Sequence, residues 1–159
     1  MRTLAEPAFP DDDGSVDPLL STALSAYATD GSLVPLLQVL GGVRLLTPVV
    51  AIRGDEPAAG GDKEADMAAV LMTGADGRTA LLAFSSLATL TAWDRAARPV
   101  PVLGALAAQA AVAETAAAIV LDVAGPVTAV VQEPDLGHLA AGDVLVRTPD
   151  GMAWAQLPG

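Results

Sequence analysis

The chain has 159 residues, a formal net charge of −11, a pI of about 4.1 and no cysteine. Such a field repels phosphate backbones and anionic lipid, so neither nucleic-acid nor membrane-surface binding is expected. Without thiols, disulfides, thiol catalysis and zinc–thiolate sites are excluded, which fits a reducing cytoplasm.

The N-terminal stretch MRTLAEPAFPDDDGSVDP has no apolar core of the kind a signal peptide needs, and it carries acids instead. Residues 1–15 are expected to form a disordered acidic tail, and residues 16–159 a single domain. Ser15 or Asp17 is placed to cap a first helix, with Pro18 at its first position. Leu19, Leu20, Ala23, Leu24 and Tyr27 follow with helical spacing until TDGS (29–32) breaks it. LVPLLQVLGG gives a second short helix closed by Gly41 and Gly42.

VRLLTPVVAI reads as a strand, and its Pro48 predicts an edge or a bulge. RGDEPAAGGDKE is a loop. ADMAAVLMTGADGRTALLAFSS is a hairpin turning on Asp76-Gly77. Both its arms are apolar on both faces, which predicts central strands covered by helices.

Ser85 or Ser86 is placed to cap a helix from Leu87 to about Ala97. On a helical wheel Leu90, Trp93 and Ala97 share an apolar stripe that leaves out Arg95 and Arg98. Trp93 is therefore expected to face the core. Asp94 and Arg98 stand four apart in the favourable order, an interaction of roughly 0.2–0.5 kcal/mol. Arg95 and Arg98 would then make a local positive spot for a carboxylate or an acidic partner segment. RPVPV is expected to run extended, because each proline disfavours helix at its predecessor.

VLGALAAQAAVAETAAAIVLDV (102–123) is the most apolar region. A membrane span needs roughly 20 mostly apolar residues, and Gln109, Glu114 and Asp122 interrupt this one. It reads as a helix from Leu103 to about Ala116 running into a buried strand, AIVLDV. VTAVVQ is a further strand, DLGHLAAG a short helix after Pro134, and the tail a second hairpin around Pro149-Asp150-Gly151. Aromatics are 3% of the chain against 52% hydrophobic residues. The core must therefore rest on Leu and Val with Phe84, Trp93 and Trp154. The fold class expected is α+β: two N-terminal helices, then a mixed, mostly antiparallel sheet with helices packed on one face.

RLLTPVVAI, the segment from KEADMAAV to RPVPV, and AIVLDVAGPV together resemble the SseB family N-terminal domain in its actinobacterial form, over residues 17–145. The resemblance implies a family named for an enhanced-serine-sensitivity phenotype rather than for a reaction. Larger relatives carry a second, C-terminal domain, for which this chain is expected to be too short. Val123 stands where the family has proline.

Few residues point to chemistry. His138, the only histidine, has Asp135 three residues before it, but no G-x-S-x-G supplies a nucleophile, so a surface or capping role is expected. Lys63, the only lysine, lies among Glu64 and Asp66, which oppose the pKa lowering that a nucleophilic lysine needs. Because KEAD opens the most family-like segment, Lys63 and Glu64 stay candidates for binding, with Trp93, Arg95 and Arg98. The acid pairs Asp11–Asp13, Asp55–Glu56 and Asp62–Asp66 fall in tail or loop, without calcium-loop spacing. No glycine run fits a phosphate loop. The function expected is a non-enzymatic interaction or regulatory module without cofactor or metal, whose partner is another protein or a second copy. The alternative is a domain that binds a small carboxylate metabolite such as an amino acid.

Overall fold

The computed structural model describes residues 9–51 and 67–157. Helix α1 (Pro18–Asp30) starts at Asp17, whose carboxylate accepts from the Leu19 amide at 2.8 Å, and Pro18 fills the first turn. Gly31 ends it with φ of 74°. Helix α2 (Val34–Leu40) follows directly. Strand β1 is Arg44–Ala51, β2 Met67–Ala69, β3 Leu71–Thr73 and β4 Thr79–Ala83. Helix α3 (Leu87–Trp93) leads into β5 (Arg98–Leu103), and α4 (Gly104–Ala113) into β6 (Ala118–Leu121). Strand β7 is Ala129–Gln132, α5 Asp135–Ala140, β8 Val144–Thr148 and β9 Gly151–Ala155.

The strands make a three-stranded antiparallel sheet, β2-β1-β5, a four-stranded sheet, β3-β4-β6-β7, and the β8-β9 hairpin. Only β4 and β6 run parallel. The two larger sheets are joined twice. Leu46 exchanges both backbone bonds with Phe84, at 2.8 and 2.7 Å. Val70 sits between β2 and β3, and its carbonyl accepts from Leu82. One strand therefore pairs first with β1 and then crosses to β4.

Alternation along these strands builds a core on each face. Leu45, Leu81, Ala83, Ile119, Leu121, Ala129 and Val131 face a large core under α1, α2, α4 and α5. Leu46, Leu82, Phe84 and Val120 face a smaller core with Leu90, Ala97 and Trp93. Helix α3 thus lies on the face opposite the other helices, where all had been expected on one face. Fully burying a leucine or phenylalanine contributes roughly 1.5–3 kcal/mol, and Phe84, Leu45, Leu81 and Leu121 are buried almost completely.

Four sequence expectations are corrected. Pro48 sits on β1, the middle strand of its sheet, and not on an edge. The Leu46–Phe84 exchange fixes which residues turn toward which neighbour. Pro48 has the parity of Leu46, so its missing N–H falls at the gap where the β2–β3 strand leaves β1. The β3 arm of the first hairpin is an edge, with Met72 and Thr73 exposed. Helix α3 stops at Trp93. The Asp94 carboxylate accepts from the Ala96 amide at 2.8 Å and closes a turn, so it is not available for a helical pair with Arg98. Lastly, the acidic run is not free in water: Asp12 is ion-paired to Arg44, and the Gly14 carbonyl accepts from the Leu87 amide at 2.7 Å.

Candidate functional site

Because β4 and β6 are parallel, their carboxyl ends lie side by side, and the residues that follow them meet there. Ser85 and Ser86 follow β4, and Asp122 follows β6. Asp122 is 3% exposed and holds φ of 58°, a left-handed conformation that aspartate tolerates. Its carboxylate accepts from the Ser85 amide at 2.7 Å, the Ser85 hydroxyl at 2.5 Å and the Thr89 hydroxyl at 2.7 Å. Ser86 caps α3 through the Thr89 amide. The carboxylate therefore ties the ends of both strands to the start of α3. A hollow of about 200 Å³ opens above it, with Ser21 and Ser25 on the opposite wall.

The carbonyl of Ser85 connects this junction to Arg44, the first residue of β1. Arg44 is 7% exposed and uses every face of its guanidinium. Nη1 donates to the Ser85 carbonyl at 3.0 Å. Nε and Nη2 grip Asp12 side-on, at 2.9 Å to Oδ2 and 3.1 Å to Oδ1. Nη2 also donates to the Ser15 carbonyl. This is the two-pronged geometry by which arginine recognises carboxylates. A hollow of about 380 Å³ surrounds the pair, walled by Phe9, Asp11, Asp13, Ser15 and Asp17. The hydroxyl and amide of Ser15 both donate to Asp13, holding that carboxyl below its usual range. Every buried side-chain nitrogen and oxygen among the described residues has a partner.

The residues singled out from the sequence lie elsewhere. Trp93 is half-buried in the smaller core, its ring 5.5 Å from that of Phe84 and tilted by 34°. Arg95 sits in the turn after α3 and Arg98 opens β5, and both are exposed. Lys63 and Glu64, with the pairs Asp55–Glu56 and Asp62–Asp66, lie outside the described residues. His138 bonds through Nδ1 to Asp143 at 2.8 Å and stacks on Trp154 at 5.0 Å, while Trp154 Nε1 donates to Asp135. Among the described residues no hydroxyl hydrogen-bonds the ring of His138, and no three acidic or histidine side chains gather as for a metal. Arg44 and Asp122 are the functional candidates that sequence reasoning passed over. The signal for Asp122 was a single acid at the end of an otherwise apolar strand; for Arg44 it was a charge opening a strand just after two glycines.

Fold and junction define an α+β domain whose mixed sheet carries a large core on one face and a smaller one on the other, and whose polar groups meet where two parallel strands end. The chain belongs to the SseB family: the model for the SseB protein N-terminal domain matches residues 20–138. No curated protein and no solved structure matches it significantly. No helix among the described residues is long and apolar enough to cross a membrane.

Proposed function

We propose that this domain is a non-enzymatic interaction module of the cytoplasm that associates with a second copy of itself through the outer face of α4. The observation that carries this reading is where apolar surface meets water. Val100 and Leu103 on β5, and Leu106 and Val112 on α4, are four of the ten large hydrophobic side chains exposed among the described residues. No charged residue occurs between Arg98 and Glu114, in a chain of net charge −11. An uncharged patch on an acidic protein is the place where two copies approach with least repulsion. The alanines of α4 allow close helix packing and the leucines supply area. The outer edge of β5 is a poor alternative. The pairing register turns the nitrogens of Pro99 and Pro101 away from β1, so that edge offers no donor at either position.

The test is Leu106→Glu, followed by light scattering and sedimentation. Leu106 is 51% exposed, so the variant should fold as the wild type does. It is expected to be monomeric at concentrations where the wild type is dimeric. A wild type that stays monomeric at high concentration overturns the reading.

A further inference from the structure

The Arg44 fork is closed by a residue of this chain, Asp12. We infer that Arg44 is a socket for the carboxylate of an acidic, extended ligand, and that Asp12 occupies it as a built-in plug. Arg44 comes from the rigid part of the fold: it opens β1 and is braced by the Ser85 carbonyl, which belongs to the junction held by Asp122. Asp12 does not. Its segment is hydrogen-bonded to the body through the Arg44 contacts and the single backbone bond from Leu87 to Gly14. Gly14 holds φ of 84°, and a Cβ there would lie 2.9 Å from that of Leu87, so the segment passes close over the start of α3.

Beside the socket the segment lies along an apolar trough of Leu46, Leu87, Pro99 and Pro101, about 320 Å³ in volume, with Phe9 at its wall. Lifting the segment would leave one cation without its carboxylate at the end of a proline-lined trough without free backbone donors at Pro99 and Pro101. That surface selects a carboxylate with an apolar group next to it. It does not select a strand, which would need those donors. Residues 9–15, FPDDDGS, carry this chemistry themselves, so they are the chain's own example of the ligand. A tethered plug acts at an effective concentration on the order of millimolar, so an untethered carboxylate competes poorly until the plug is weakened.

The experiment uses the full chain with Asp12→Ala, and acetate or the capped peptide FPDDDGS as probes. Melting temperature and titration calorimetry are read against chloride at matched ionic strength. Asp12→Ala is expected to melt below wild type and to recover with acetate, and with the peptide at lower concentration. Wild type should respond to neither, and Asp12→Ala combined with Arg44→Gln should lose both responses. A peptide that outperforms acetate supports an acidic protein segment as the ligand; equal responses overturn the extended ligand. If Asp12→Ala does not fold, Asp12→Asn keeps the bulk of the plug and weakens its hold, and it should bind the peptide more tightly than wild type. No Arg44-dependent response to either probe, or equal affinity in Asp12→Asn and wild type, overturns the inference. Neither result bears on dimerisation through α4.

Discussion

Asp122 is the acceptor for the Ser85 amide, which has no other partner, as well as for two hydroxyls. Asp122→Ala leaves that amide unsatisfied in a buried place and puts a residue with a Cβ but no local hydrogen bond at φ of 58°. The expected loss is about 3 kcal/mol in urea denaturation. Asp122→Asn keeps one oxygen for the amide and tolerates the same φ, and the Ser85 hydroxyl can rotate to accept from the new NH₂. Its expected loss is about 1 kcal/mol; equal losses for the two would mean that the hydrogen bonds are not what matters. Asp13 gives the pH counterpart. Its folded pKa is lowered by Ser15, so its contribution is full above the unfolded pKa and disappears as pH falls through the folded one. Asp13→Asn should therefore lower stability at neutral pH, where that contribution is full, change little below the folded pKa, and so flatten the acid limb of the stability–pH curve. These carboxylates were not legible as partners in the sequence. Asp12 meets Arg44 across 32 residues and Asp122 meets Ser85 across 37, distances over which no periodicity carries information.

At the level of elements, what was readable was local. The cap and proline of α1, the Asp76-Gly77 turn and the apolar run of β6 are each decided by neighbours in sequence, and each forms where expected. The end of α3 was not readable, because Ala97 continues the apolar stripe while Asp94 ends the helix with a side-chain bond to the backbone. The positive spot at Arg95 and Arg98 was read from that helix continuing, whereas the two residues lie in the turn after α3 and at the start of β5. The corner between α2 and α4 was hidden for another reason. The amides of Gly104 and Ala105 donate to the carbonyls of Val43 and Gly41, which brings the two helix ends together. A Cβ on Gly104 would lie 1.7 Å from the Leu40 carbonyl oxygen, an overlap with backbone that no rotamer relieves. Gly104→Ala should cost roughly 3 kcal/mol by forcing α4 off α2. It should also move the amide shifts of Gly41 and Val43, whereas Ala110→Gly, on the exposed face, should leave them in place. A Gly104→Ala variant as stable as wild type would mean that this corner is free to open.

For the whole molecule, the balance that governs self-association is between one uncharged face and a net charge of −11 on each copy. The apolar contribution of Leu103, Leu106 and Val112 is short-ranged and depends little on salt, whereas the repulsion is long-ranged. With a Debye length of about 30 Å at 0.01 M salt and about 3 Å at 1 M, two copies meeting at α4 sense each other's full charge in dilute buffer and little of it in concentrated salt. Association should therefore strengthen steadily as sodium chloride is raised, the opposite of a contact held by ion pairs. Sedimentation equilibrium across that range checks it. The dimer fraction of wild type should rise with salt, and Leu106→Glu should stay monomeric throughout, because it adds a charge to the uncharged run between Arg98 and Glu114. A dimer that dissociates as salt rises would place the contact on charged residues, and α4 could not then be the interface.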